Sequence, residues 1–164
     1  MISLITAFDS NFLIGINNKL PWNYPEDILW FKKKTFDKNV LVGSETYSSL
    51  KFYYKNKKLP FKKIYVADYK KDISFYAHSK EKIILIKDLI FFLKKNYNIE
   101  KDIIIIGGSE IYKQSLPFVK KMFITHILKR YEGNKFFPYF NYDEFCIVEK
   151  KISNELIFVT YIRK

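Results

Sequence analysis

The sequence predicts an α/β fold, a mostly parallel twisted sheet flanked by helices and finished by an antiparallel C-terminal hairpin. Three observations predict it. Short apolar runs alternate with segments of helical periodicity along the 164 residues, the pattern of strand–helix–strand units. Ile103-Ile104-Ile105-Ile106 is apolar at every position, as in a strand covered on both faces, and Gly107-Gly108 ends it. Near the C-terminus three strand-like segments, near 120–129, 143–151 and 155–162, follow one another, and Ser153-Asn154 supplies a turn between the last two. No repeat, low-complexity tract or Gly/Ser linker divides the chain, so one domain over residues 1–164 is expected.

The elements read in order as follows. Ile2 to Phe8 is the first strand, and the polar segment Asp9 to Tyr24 a loop. Pro25-Glu26-Asp27 opens a helix: proline suits a first turn and acids suit the positive end of the helix dipole. Ile28, Phe31 and Thr35 continue one face of it. Val40-Leu41-Val42-Gly43 is a short buried strand, and Ser44 caps a helix to Leu50. Residues 51–61 are a loop rich in Lys and Tyr. Ile64–Ala67 and Ile83–Ile86 are strands, and Asp88–Tyr97 is a helix with Leu89, Phe92 and Leu93 on one side. Ser109 to Leu116 is a short helix stopped by Pro117.

Composition narrows the function classes. The longest apolar run is far too short to span a membrane, and Met1-Ile2-Ser3-Leu4-Ile5 reads as a strand instead of a leader. A single cysteine, Cys146, allows no intrachain disulfide and no thiolate metal cluster; in Phe145-Cys146-Ile147 it reads as strand packing. A cytoplasmic protein without a membrane partner fits. The formal charge is +12, which invites a nucleic-acid reading. Only Arg130 and Arg163 are arginines, however, and the lysines are spread along the chain, so a solvated basic surface is the better reading.

The residues that carry chemistry are few. A buried strand, a Gly107-Gly108-Ser109 turn and a helix make a nucleotide-site shape, since glycine lets backbone approach a ligand and the helix offers unpaired N–H groups. A plain tight turn explains the same residues. Asp27 lies one turn from Phe31 on the same helix face, so a carboxylate and an aromatic could bind a cationic or amide-like ring edge; serving the helix dipole explains Asp27 as readily. His126 has no second ligand at a workable spacing and reads as a satisfied core or edge histidine, and no metal is expected.

In series these pieces resemble the dihydrofolate reductase family. Met1 to Ala7 is similar to its first strand, and Ile14-Gly15 with Leu20-Pro21-Trp22-Asn23 to its mobile loop. Pro25 to Lys32 resembles the helix with its key acid, and Val42-Gly43 with Glu45-Thr46-Tyr47-Ser48-Ser49-Leu50 its second cofactor segment. Ile105 to Tyr112 resembles its glycine turn, and Thr125-His126-Ile127 and Phe137-Pro138 complete the order over nearly the whole chain. The resemblance implies a dihydrofolate-reductase-like fold and hydride transfer from NADPH to 7,8-dihydrofolate, in support of one-carbon metabolism. It also implies inhibition by antifolates and a monomer.

It further implies roles for single residues. Asp27 would hold the pterin by its amino-amide edge, with Thr125 on the same edge, and favour protonation of the ring nitrogen beside the acceptor carbon. Ile5, Leu20, Ile28, Phe31, Leu50 and Ile106 would wall the pocket and keep water off the hydride path. Ala7, Ile14, Gly15 and Tyr112 would face the nicotinamide. Gly107, Gly108, Ser109 and Thr46 would take the pyrophosphate, beside Gly43, Glu110 and Ile111. Trp22 and its loop would act as a lid.

Three departures from the family pattern bear on specificity. Lys62, with Lys63 beside it, stands where an arginine usually forks onto the glutamate carboxylate of folate, and lysine offers a point charge only. This leaves an unconjugated dihydropterin as an alternative substrate. Asp68 ends the strand where hydroxyls usually meet the cofactor's 2′-phosphate, and Glu110 follows the glycine turn. An acid there favours a free 2′-hydroxyl, while Ser44, Lys70 and Lys71 favour phosphate, so NADPH is expected and NADH is the alternative. Residues 51–58 form an insertion, and Asn134 replaces an acid that steadies the mobile loop.

Overall fold

The computed structural model describes residues 1–164. In chain order its elements are β1 (Ile2–Phe8), β2 (Leu13–Gly15), α1 (Pro25–Thr35), β3 (Asn39–Gly43), α2 (Ser44–Tyr53), β4 (Lys63–Ala67), β5 (Ile83–Ile86), α3 (Leu89–Asn96), β6 (Ile103–Ile105), α4 (Ser109–Ser115), β7 (Lys121–Ile127), β8 (Lys135–Phe136), β9 (Phe145–Ser153) and β10 (Leu156–Arg163). Eight strands form one sheet in the order β5-β4-β3-β6-β1-β7-β10-β9, and β2 pairs with β8 in a small separate ribbon. The strands from β5 to β7 run parallel, while β10 pairs antiparallel with β7 and β9. The expected parallel sheet with a C-terminal hairpin is therefore the observed one, and Asn154 turns that hairpin with a φ of 51°.

Period-two alternation sends the strands' side chains into two cores. Ile2, Leu4 and Phe8 of β1 join Ile103 and Ile105 on one face. Ile5 joins Val40, Val42, Ile104 and Ile106 on the other, packed against Phe31 of α1 and Leu50 of α2. The chain leaves β1 for β3, β4 and β5, then returns to place β6 between β3 and β1. In such sheets a crevice opens at the strands' carboxyl ends where the order reverses, and Gly43 and the Gly107-Gly108 turn lie there, at the ends of β3 and β6. No helix is long and apolar enough to cross a membrane.

Four local expectations need correction. The segment 9–24 is not all loop: Leu13–Gly15 is a strand, and its partner Lys135–Phe136 is too short to read from the sequence. Ser44 does not cap α2; Gly43 holds that place and Ser44 is already helical, its carbonyl accepting from the Ser48 hydroxyl at 3.1 Å. The helix also runs on to Tyr53, into the segment expected to be loop. Cys146 is exposed instead of packed, because β9 is the edge strand and Ile147 and Val148 beside it are exposed as well.

Candidate active site

Helix α1 sets the first wall. Pro25 at its start, Glu26 and Asp27 in the first turn and Lys32 to Lys34 in the last complement its dipole. Asp27 is half-buried, and protein encloses most of its carboxylate. That burial raises its pKa above the ordinary carboxylate range, although the Thr125 hydroxyl, within hydrogen-bonding reach, pulls the other way. Thr125 is 1% exposed and sits on β7 directly opposite Ala7 of β1. Sequence pattern left Asp27 between dipole service and ligand binding; its enclosure beside a buried hydroxyl favours the second.

The glycine turn forms the second wall. Gly107 has a φ of +124°, open to glycine at no cost, and a cis peptide joins it to Gly108. Its carbonyl accepts from Gly43 N at 2.9 Å, which ties the end of β6 to the end of β3. A Cβ on Gly108 would lie 2.9 Å from Thr46 Oγ1, so backbone and the Thr46 hydroxyl sit as close as atoms allow. Tyr112 is buried, and its hydroxyl donates to Ile5 O at 2.7 Å, locking α4 onto β1. Burial raises the Tyr112 pKa, and the charge of nearby Asp27 adds to the rise. The turn, β1 and Asp27 thus meet around the Tyr112 side chain.

The remaining candidates divide. Ile5 and Ile106 are buried, with Phe31 and Leu50 partly buried against the same cluster. Ile28, Ala7, Ile14, Ser109 and Ile111 are half-buried, and Ile111 packs within 3.0 Å of where a Gly43 Cβ would lie. Leu20, expected to wall the pocket, is 56% exposed and follows a bridge between Ile16 and Lys19. Trp22 from the same loop is buried, against Leu13, Ile127, Leu156 and Phe158, with its ring 5.4 Å from Tyr131. Its indole N–H has no protein partner. Lys62 is exposed, and its N–H donates to Lys38 O at 3.0 Å.

The two acids that raised the question of a free ribose hydroxyl behave differently from expectation. Asp68 is buried, and its carboxylate already accepts from Lys70 N, Lys71 N and the Tyr76 hydroxyl at 2.9, 3.1 and 3.0 Å. Burial alone would raise its pKa; those donors hold it below the usual range. Its role is to close a turn. Glu110 points to solvent and accepts from Gln114.

Two further polar residues, Asn134 and Tyr24, make contacts that the sequence reading did not give. Asn134 accepts from Asn17 N and donates to Asn17 Oδ1, each at 3.2 Å, so the amide steadies the loop in place of the expected acid. Tyr24 donates to Glu155 at 2.6 Å and shares a 2.6 Å bond with the Tyr131 hydroxyl, joining three segments distant in sequence. Spacing gives no signal for such a chain. His126 is half-buried with Nε2 2.8 Å from the Tyr161 hydroxyl, and burial lowers its pKa to about 4, as suits a neutral, satisfied histidine. No group of three or more His, Cys, Asp or Glu side chains could hold a metal.

An enclosed carboxylate beside a glycine turn, at the carboxyl ends of a parallel sheet, defines a small α/β enzyme site of the nucleotide-cofactor kind. The sequence model of the dihydrofolate reductase family matches residues 1–162. A dihydrofolate reductase of Buchnera aphidicola subsp. Schizaphis graminum is 38% identical over 141 residues, which cover 84% of this chain and 78% of that one. The enzyme of Bacillus subtilis is 29% identical over 151 residues, 92% and 83% of the two chains. Among solved structures, Enterococcus faecalis dihydrofolate reductase complexed with NADP(H) and RAB-propyl aligns with a TM-score of 0.80 at 23% identity, over 100% of this chain and 96% of that one. The chain belongs to the dihydrofolate reductase family.

Proposed function

We propose that this protein reduces 7,8-dihydrofolate to 5,6,7,8-tetrahydrofolate with NADPH as the hydride donor. The observation that carries the proposal is the enclosed Asp27 carboxylate, short of donors, beside Thr125 and the Gly107-Gly108 turn. An ionised carboxylate in that position accepts two N–H groups of a pterin edge. Its charge favours a proton on the ring nitrogen next to the acceptor carbon, so that hydride arrives at an iminium-like centre. Ile5, Phe31, Leu50 and Ile106 give the ring a dry bed, which strengthens the contact with Asp27.

The residues present fit a dinucleotide. A Cβ at Gly108 would lie 2.9 Å from Thr46 Oγ1 and Gly107 holds a φ of +124°, so the turn carries no side chain to screen its backbone from a pyrophosphate. Backbone N–H groups of the turn and the Thr46 hydroxyl would hold it, with Ala7 and Ile14 beside the nicotinamide. The cofactor supplies the hydride. Ser44, Lys70 and Lys71 would serve a 2′-phosphate, and the carboxylate of Asp68, which a free 2′-hydroxyl would need as acceptor, already accepts three hydrogen bonds from its own turn. Trp22 and its loop cover the crevice, and Lys62 meets the glutamate tail as a point charge. The reading extends to competitive inhibition by antifolates, and to one domain working as a cytoplasmic monomer.

The test is the oxidation rate of NADPH and of NADH by purified protein with dihydrofolate. Faster turnover with NADPH, blocked by an antifolate, is the expected result. Folded protein with no turnover on either cofactor would overturn the proposal. Sedimentation at the mass of one chain checks the monomer.

A further inference from the structure

An ion pair between α2 and the residue run before β5 braces the segment between α2 and β4, and the reaction does not use it. Glu81, just before β5, has a side chain 1% exposed, and Lys51 of α2 meets it at 2.7 Å with a side chain 16% exposed. Glu81 also accepts from Leu59 N at 2.9 Å, the Tyr47 hydroxyl at 3.2 Å and the Ser79 hydroxyl. Lys51 in turn donates to Lys57 O at 2.9 Å. The pair therefore grips both sides of the 57–59 turn. Leu59 and Phe61 are buried in the core shared with Phe31 and Leu50. Beyond them the chain is stitched to the end of α1 by Asp37 N to Pro60 O at 2.9 Å and Lys62 N to Lys38 O at 3.0 Å. Lys32 of α1 lies 5.8 Å from the Tyr54 ring, across the same junction.

We infer that the Glu81–Lys51 pair is a positioning device for recognition of the substrate's anionic tail, because it fixes the turn from which Lys62 is presented. The inference rests on the proposed reduction of dihydrofolate. A lysine is a single exposed charge on a flexible stem, and a tail carboxylate gains from it only where the backbone beneath is held. The arginine fork usual in the family carries its own geometry; Lys62 takes its geometry from the loop. A buried carboxylate with several donors is rigid enough to supply it, and an insertion of eight or so residues would otherwise leave the turn free to wander. Glu81 touches no reacting atom and acts through the 57–59 turn.

The experiment compares KM and kcat for dihydrofolate and for a 7,8-dihydropterin that lacks the p-aminobenzoylglutamate tail, in wild type, Glu81→Gln, Lys51→Met and Lys51→Arg. Wild type should prefer the tailed substrate in KM. Glu81→Gln and Lys51→Met should raise KM for dihydrofolate about two- to fivefold, the range of an exposed ion pair, and leave kcat and KM for the tail-less pterin unchanged. Lys51→Arg should restore the wild-type ratio. Adding Lys62→Ala to Glu81→Gln should cost little more than either change alone. If Glu81→Gln does not fold, Lys51→Met decides, since the carboxylate then keeps its Tyr47, Ser79 and Leu59 donors. A wild-type preference that survives in the variants overturns the inference and leaves the proposed function standing. Wild-type protein that turns over neither substrate overturns that function first.

Discussion

Replacing Asp27 by Asn distinguishes a working carboxylate from a structural one. In the folded protein burial raises the Asp27 pKa above the unfolded value, and the Thr125 bond offsets only part of that. Below the ordinary carboxylate range both states are protonated and Asp27 has no effect on stability. As pH rises, the unfolded chain ionises first and the folded chain keeps its proton longer. The native state then binds more protons, so stability falls with pH until the folded carboxyl ionises too. Once the folded carboxyl is ionised the native protein carries the desolvation penalty, about 1–3 kcal/mol for a buried polar group short of partners. Asparagine keeps the shape and removes the charge. For a chain of this size the gain corresponds to a Tm higher by roughly 2–10 °C at pH 7. The gain should vanish at pH 3.5. Over the same change, turnover of dihydrofolate at pH 7 should fall by about 100-fold or more. Calorimetry at the two pH values and a steady-state assay measure both. A Tm that drops at pH 7, with turnover kept, would refute the reasoning and return Asp27 to service of the helix dipole.

Three further outcomes follow from the same geometry. Thr125→Val removes a bond that lowers the Asp27 pKa, so the acid limb of the kcat/KM profile should move to higher pH, with a loss of roughly three- to tenfold at pH 7; an unmoved limb would separate the two residues. Gly108→Ala places a Cβ 2.9 Å from Thr46 Oγ1 and should lower the urea midpoint by an amount worth about 1–3 kcal/mol, and Thr46→Ala in the same chain should restore part of it. A double variant no more stable than the single one would deny the contact. Glu81 is held down at about 2 by Lys51, Ser79 and Leu59 against the pull of burial, so it stabilises the fold above pH 4.5 and loses that effect as pH falls toward 2. The contribution is at most on the order of 3 kcal/mol. Acid unfolding of Glu81→Gln should therefore be shallower between pH 4.5 and 2 than that of wild type.

What could be read from the sequence follows from which contacts are local. The Ile103–Ile106 run, the proline and acids opening α1 and the helix after Lys87 are decided within a few residues, and all form as expected, with Asp88 at the N-cap of α3 instead of inside it. The Asp88 side chain accepts from Phe91 N at 2.9 Å, as an N-cap should. The β2–β8 ribbon failed to appear because its strands are short and lie some 120 residues apart, so neither has a period to detect. The edge position of β9, and with it the exposure of Cys146, depends on strand order, which no local pattern encodes. The crevice residues were legible mainly through resemblance: pattern alone left Asp27 and the glycine turn each with an ordinary alternative. Glu81 was invisible on both counts. Its partners Tyr47, Lys51, Leu59 and Ser79 lie up to 34 residues away and form no motif.

Three buried or half-buried carboxylates show how the protein assigns its hydrogen-bond donors. Asp68 receives two backbone N–H groups and a tyrosine hydroxyl, and Glu81 a lysine, a backbone N–H and two hydroxyls. Burial works against ionisation in both, and the donors prevail, so both pKa values fall. Asp27 is enclosed as well, yet only the Thr125 hydroxyl reaches it, and its pKa rises. The contrast is not a property of the surface charge, because a chain with a formal charge of +12 has cations to spare. A structural carboxylate at that depth would be expected to carry its own donors, as the other two do. One left short of them fits the proposed role of Asp27, in which a ligand would bring two N–H groups on one planar edge. The electrostatics of the chain therefore point to the same residue as the family resemblance, by an argument that does not depend on it.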